Sequence, residues 1–255
     1  MKLKGDNGYN ISYDENIPDN CNTIVIAMHG FAGDKESGCI KLLEEKLRQM
    51  NVGLIRFDWP GHGKSETNGD DLTVRKCLSD LNCIVKHIMK NHNNCNLVAF
   101  STSFGGYITL LYNYYNPEVF NHIILRSPAI KMYDVVMNNL LTEQMKSELS
   151  KRGYFYYGFE RILKVSLKFI KELSEENVFE LYGDRQLDNI SIIHGTEDDV
   201  VPISDSNQFS SIHNCTIYPI KGADHRYKKE GELSKVIDIA TKIISDVEKN
   251  NNKHL

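Results

Sequence analysis

Ser103 lies where the apolar run Asn96-Leu-Val-Ala-Phe100 breaks into Ser101-Thr-Ser103-Phe-Gly105-Gly106 and then into a second apolar stretch. A strand, an abrupt turn and a helix form the context in which a serine hydroxyl is lifted clear of a sheet to act as a nucleophile. The residues two before and two after such a serine must be small, because strand and helix crowd each other there. Here they are Ser101 and Gly105, with serine at the first position where glycine is usual. Ser101 is a second candidate, since Ala99 and Ser103 flank it at the same offsets. Gly105 and Gly106 fall at the crowded helix start only if Ser103 is the nucleophile, which favours Ser103.

A serine hydroxyl is a weak nucleophile until a base and a group that orients the base stand beside it. Two later segments supply those residue types. The run Ile190 to Ile193 leads into His194-Gly-Thr-Glu197-Asp198-Asp199-Val-Val-Pro202, and Thr216 to Ile220 leads into Lys221-Gly-Ala-Asp224-His225. Open α/β sheets place their sites just past the carboxyl ends of strands. Serine, then acid, then histidine is a known chain order for acyl transfer by this chemistry.

His29-Gly30-Phe31-Ala32-Gly33, directly after the first long apolar run, is a glycine-rich turn able to aim the Phe31 N–H at a developing oxyanion. The N–H of Phe104, next to the nucleophile, is the expected second donor. His29 is read as a structural residue of that turn, since a base there would break the chain order. Asp58-Trp-Pro60-Gly-His-Gly63-Lys64-Ser65 ends like a phosphate-binding loop, but Asp58 stands where that loop needs glycine and Pro60 lacks an N–H. ATP binding is not expected.

Positioning these groups requires strands that end together. Candidate strands are Thr23 to Met28, Val52 to Phe57, Asn96 to Phe100, His122 to Leu125, Ile190 to Ile193 and Thr216 to Ile220, with Asn10 to Tyr13 as an antiparallel edge. Near-continuous apolar runs suit parallel strands buried on both faces. Helical spacing connects Ile40, Leu43, Leu47 and Met50. It also connects Val74, Cys77, Leu78, Leu81, Val85 and Ile88, with Thr73 as N-cap, and Leu233, Val236, Ile237, Ile243, Ile244 and Val247. From about 128 to 185 no buried strand is evident, so this stretch is an excursion from the sheet and a candidate lid. The tail 250–255 is polar and expected to fray.

The chain has 255 residues, 30 basic and 34 acidic, for a formal charge of −4, which leaves no basic stripe for nucleic acid. Six cysteines that form no C-x-x-C pair support neither zinc nor a disulfide frame. The first residues, Met1-Lys-Leu-Lys-Gly-Asp, carry no apolar h-region, and no run approaches the roughly 18 apolar residues of a membrane span. The expected address is cytoplasmic.

With these segments together, the chain resembles the α/β-hydrolase superfamily, in particular small bacterial carboxylesterases, feruloyl (cinnamoyl) esterases and serine-aminopeptidase proteins related to monoacylglycerol lipases. The segments that carry the resemblance are His29 to Phe31, Asp58 to Ser65, Ser101 to Gly106, His194 to Pro202 and Gly222 to His225. It implies a mostly parallel central sheet with helices on both faces. The hydrolase core would comprise 1–127 and 186–255, with a small inserted cap at 128–185. It implies Asp198 as the acid, four residues after His194, with Asp199 the alternative.

The resulting expectation is a serine esterase in which Ser103, His225 and Asp198 form a triad, Phe31 and Phe104 supply the oxyanion hole, and a small-molecule ester is the substrate. No metal or organic cofactor is implied. The aromatic run Tyr154-Phe155-Tyr156-Tyr157-Gly158-Phe159 either lines the substrate pocket through Tyr154, Tyr156 and Tyr157 or packs a hairpin core of its own, the latter being favoured. Thioesterases and aminopeptidases share the triad, and a non-catalytic ligand receptor can occupy the same scaffold. Dehalogenases and epoxide hydrolases of this fold use an aspartate nucleophile, which Ser103 argues against. Oligomeric state is not legible.

Overall fold

Consecutive side chains of a strand point to opposite faces, and in the central strands both faces are apolar. In β3 (Thr23–Met28), Ile24, Ile26 and Met28 pack into one core while Val25 and Ala27 pack into another. The same division runs through β4 (Gly53–Phe57), β5 (Asn96–Thr102) and β6 (His122–Arg126), where Ile124 faces away from Ile123 and Leu125. Each fully buried aliphatic side chain contributes on the order of 1.5–3 kcal/mol. The sheet therefore needs a helical layer on both sides.

The computed structural model describes residues 1–158 and 162–251. Its main sheet has eight strands in the order β1-β2-β4-β3-β5-β6-β9-β10, completed by β1 (Lys2–Lys4), β2 (Asn10–Asn16), β9 (Ile190–Gly195) and β10 (Thr216–Ile220). From β4 to β10 all neighbours are parallel; β2 runs antiparallel to both β4 and β1. The antiparallel segment expected at the edge is thus one strand in from it. Lys2–Lys4 is too short and too charged for its pairing to show as a pattern.

One face is covered by α1 (Gly38–Gln49) and α9 (Glu232–Asn251), through Ile40, Leu43 and Leu47 and through Val236, Ile237, Ala240 and Ile244. The other is covered by α2 (Val74–Asn91) and α3 (Phe104–Tyr115). Helix α2 starts where Thr73 caps it, its hydroxyl accepting the Lys76 N–H at 3.1 Å. Helix α8 (Ile203–His213) links β9 to β10.

Between β6 and β9 the chain leaves the sheet. It forms a short α4 (Met132–Asp134), a π-helical turn (Val135–Leu140), α5 (Glu143–Arg152), an antiparallel hairpin of β7 (Tyr154–Tyr157) and β8 (Leu163–Ser166), then α6 (Leu167–Glu175) and α7 (Val178–Tyr182). The hairpin falls on the aromatic run, where a hairpin core is the favoured reading of the sequence; β8 is the strand that the sequence does not show. Both strands are four residues long, too brief for a two-residue period to stand out. Gly69 lies against the β8 backbone, where an added Cβ would sit 2.2 Å from the Lys164 carbonyl oxygen. Phe159 of the aromatic run and 252–255 of the tail lie outside the described residues. All six cysteines are free.

Candidate active site

Strand β5 passes into α3 through a single residue, Ser103, whose φ of 51° and ψ of −112° are ones that side chains rarely adopt. Such a backbone costs on the order of 1–3 kcal/mol and persists only where neighbours enforce it. Here the Ser103 N–H donates to the Arg126 carbonyl at 3.0 Å, and its carbonyl accepts from Tyr107 and Ala129 at 3.2 and 3.1 Å. Close approach is also visible at Gly105, where a Cβ would lie 2.7 Å from the His29 carbonyl oxygen. Helix α3 can meet the end of β3 only at a glycine.

Ser101 does not share this setting. It is fully buried, with its hydroxyl 2.7 Å from Thr109 Oγ1 in α3, so its polar atom is satisfied inside the core, away from the cleft. The serine found in place of glycine thus acts as a strand–helix tie.

Asp198 sits in the turn after β9. Its Oδ1 accepts the N–H groups of Val200 and Val201 at 3.0 and 2.8 Å, while Oδ2 faces His225 Nδ1 at 2.8 Å and His194 Nε2 at 3.1 Å. Burial by itself would raise this carboxyl, but the hydrogen bonds from His194 and His225 overcome it and hold Asp198 well below the usual carboxylate range. With a carboxylate on Nδ1, His225 donates there and keeps Nε2 as its acceptor. His194 Nε2 also lies 3.1 Å from the Val201 carbonyl, and two pure acceptors require it to be the donor. Its Nδ1 then accepts from the Ser206 hydroxyl at 2.8 Å. His194 is a participant that sequence reasoning missed: it served only as a spacing mark for the acid. Asp199 is exposed and does not share in this arrangement.

The His225 turn follows β10 and is fixed by Asp224, whose Oδ1 accepts the Arg226 N–H at 2.9 Å, and by Arg126, whose Nη2 donates to the His225 carbonyl at 3.1 Å. Ser103 and His225 line one cleft of about 580 Å³ together with Gly30, Phe31, Arg126 and Tyr157. A Cβ on Gly30 would lie 3.3 Å from Ser103 Cβ, which shows how closely the glycine-rich turn abuts the serine. Two histidines brace that turn. His29 Nε2 accepts the Trp59 N–H at 3.2 Å, and its Nδ1 donates to the Gly30 carbonyl at 2.8 Å. His62 Nε2 accepts the Ala32 N–H at 3.1 Å, and its Nδ1 lies 2.9 Å from the Pro60 carbonyl. Phe104 opens α3, where first-turn N–H groups have no partner within the helix.

The loop that mimics a phosphate cradle is filled by the protein itself. The Asp58 carboxylate accepts the N–H groups of Lys35 and Lys64, both at 2.9 Å.

Of the three tyrosines proposed for the pocket, the structure brings only Tyr157 to the cleft. Tyr154 and Tyr156 pack edge to face on the other side of the hairpin, with Tyr156 49% exposed, because alternate residues of a strand face opposite ways. Phe155 is fully buried, and Tyr157 packs on Phe31 at 5.4 Å. Arg126 was missed as well: it closes an apolar strand, but the sequence does not show which loops meet that strand's end. Among the described residues, no helix is long and apolar enough to cross a membrane.

A mostly parallel sheet with a serine elbow at the end of its fifth strand defines the α/β-hydrolase class, and solved members superpose on it. Est1E from Butyrivibrio proteoclasticus, solved with ferulic acid bound, matches with a TM-score of 0.79 and 23% identity over 96% of this chain and 99% of that one. Mouse alpha/beta hydrolase domain-containing protein 10 matches with a TM-score of 0.73 and 19% identity over 97% and 98%. The sequence model of the family described as serine aminopeptidase, S33 matches residues 19–156, more than half of the chain, and the chain belongs to that family. Among curated relatives, the human mitochondrial palmitoyl-protein thioesterase ABHD10 is 25% identical over 203 residues, 76% of this chain. The match spans only 64% of that relative's length. A monoglyceride lipase homolog of monkeypox virus is 22% identical over 232 residues, 81% of this chain and 83% of the viral protein.

Proposed function

We propose that this protein is a serine esterase that cleaves small carboxylic esters through an acyl-enzyme intermediate. The observation that carries it is the 2.8 Å bond between Asp198 and His225, with His225 and Ser103 lining one cleft. His225 Nε2 takes the proton of Ser103 Oγ as that oxygen attacks the ester carbonyl. Asp198 keeps the imidazole in the tautomer that makes this possible and stabilises the imidazolium. The N–H groups of Phe31 and Phe104 receive the oxyanion. His225 then returns its proton to the leaving alcohol. A water activated by the same nitrogen attacks the acyl-enzyme, and collapse of the second tetrahedral intermediate frees the acid and restores Ser103.

The excursion over 128–185 is assigned as a cap on this cleft, with Tyr157 its contribution to the pocket wall. Thioesters are the second reading, supported by the relatives named as thioesterases. Ser103→Ala is expected to lower turnover of p-nitrophenyl butyrate by on the order of a millionfold and to abolish labelling by a fluorophosphonate. Wild-type turnover in that variant overturns the proposal. A panel of matched esters, thioesters and aminoacyl anilides assayed with the wild-type protein ranks the acyl classes.

A further inference from the structure

Buried cations are ordinarily paired with acids, and this protein follows that rule elsewhere. Lys35, 2% exposed, binds Asp14 and Glu36, and Arg56 lies among Asp14, Glu36 and Glu44. Arg126 is the exception. It is 7% exposed, no carboxylate lies within 4.0 Å of it among the described residues, and its Nε is buried without a partner. Its guanidinium rests 4.5 Å over the Tyr227 ring and gives one N–H to the His225 carbonyl.

The lining of the cleft adds positive charge and carries no acid of its own. Arg126 lines the cleft that holds Ser103, and the described lining includes a second arginine, Arg226, but neither Asp nor Glu. Ser37, Gly38 and Cys39 bring the N-terminus of the twelve-residue α1 to the same cleft. The Ser37 side chain does not cap that helix, and its first turn carries no acid. A Cβ on Gly38 would meet no atom within 4 Å, so there is open space beside the first residue of this helix. Helix N-termini of this kind favour anions. Burial pushes the Cys39 thiol up, and the Arg126 charge opposes that shift.

We propose that this corner is an anion subsite: Arg126 and the N-terminus of α1 bind a carboxylate or phosphate carried by the substrate, so that the preferred esters are anionic molecules reacting at Ser103. The placement of the reacting carbonyl rests on the esterase reading above; the anion site itself does not.

The test compares substrates that differ only in charge. Mono-p-nitrophenyl glutarate is set against p-nitrophenyl valerate, and 4-acetoxybenzoate against its methyl ester, with 4-acetoxyphenyl phosphate separating phosphate from carboxylate. The anionic member of at least one pair is expected to have a kcat/KM higher by about tenfold or more, the factor one charge-assisted hydrogen bond supplies. The gain should reside in KM and shrink with added salt. In Arg126→Gln that ratio falls to near one whatever happens to the neutral ester, and Arg126→Lys restores part of it. A wild-type ratio near one, or a ratio that survives in Arg126→Gln while both rates fall together, overturns the proposal. The second result would leave Arg126 as a support for the His225 turn. Should Arg126→Gln fail to fold, calorimetric titration of Ser103→Ala with glutarate, benzoate and inorganic phosphate decides. Salt-sensitive binding of any of the three upholds the anion site, even if the serine chemistry proves wrong, and no binding of any removes it.

Discussion

At Asp198, two imidazole N–H groups and two backbone N–H groups converge on one carboxylate that has no contact with solvent. A proton there would displace at least one of these donors, which is why the group stays ionised far into acid. The depressed pKa means that its contribution to stability is complete above the ordinary carboxylate range and is lost as pH falls toward its own lower value. In Asp198→Asn the imidazole loses its charged partner, and turnover is expected to drop about 10⁴-fold. Thermal melts of the variant and wild type should differ by a constant interval above about pH 5 and converge below about pH 4. An interval that stays fixed down to pH 2 would show that the carboxylate is not specially stabilised. Ser103, an acid after Ile193 and His225 could be picked out beforehand because each ends its own apolar run. His194 and Arg126 could not, since their roles depend on which loops meet, and spacing along the chain carries no such information.

Helix α2 shows the same limit at the level of an element. Its start at Thr73 and its buried face were readable from periodicity, but Asp80 was not recognised as buried and lies entirely inside. The Tyr9 hydroxyl, 3.0 Å from both carboxylate oxygens, and Asn7 Nδ2 at 3.3 Å reach it from the loop between β1 and β2. Burial nonetheless outweighs these donors and raises Asp80 to about 7. Between about pH 4 and 7 the unfolded chain releases a proton that the folded one keeps, so native stability declines as pH rises through that window. Asp80→Asn removes the decline. Its melting temperature should exceed that of wild type at pH 8, by the equivalent of at most about 4 kcal/mol at roughly 1.4 per pKa unit, and approach it at pH 5. A variant less stable than wild type at pH 8 would mean that Tyr9 and Asn7 outweigh desolvation. A hairpin over the aromatic run was legible, but its second strand, β8, was not, for a different reason: the inward residues, Phe155 and Tyr157 with Leu163 and Val165, are too few to set a rhythm.

For the molecule as a whole, the parallel sheet and its two helical layers were legible because long apolar runs fit little else, and the strand order was not, because pairing is long-range. That order sets β3, β5, β6, β9 and β10 side by side, so the loops after them share one rim, and the groups from 29 to 31, 102 and 103, 126 and 225 meet in one cleft. The β7–β8 hairpin, which brings Tyr157 to that cleft, touches the body at Gly69, where a single hydrogen atom separates two backbones. This contact is a set-screw for the pocket mouth. Gly69→Ala must push β8, and with it the paired β7 that bears Tyr157, outward by the breadth of a methyl group without altering any reacting residue. Overpacking of this sort destabilises by about 1–3 kcal/mol, and bulky aryl esters should gain in kcat/KM relative to acetate esters. An unchanged size profile would show that the aperture is set elsewhere; a changed one would give a one-residue means of retuning which molecules the cleft admits.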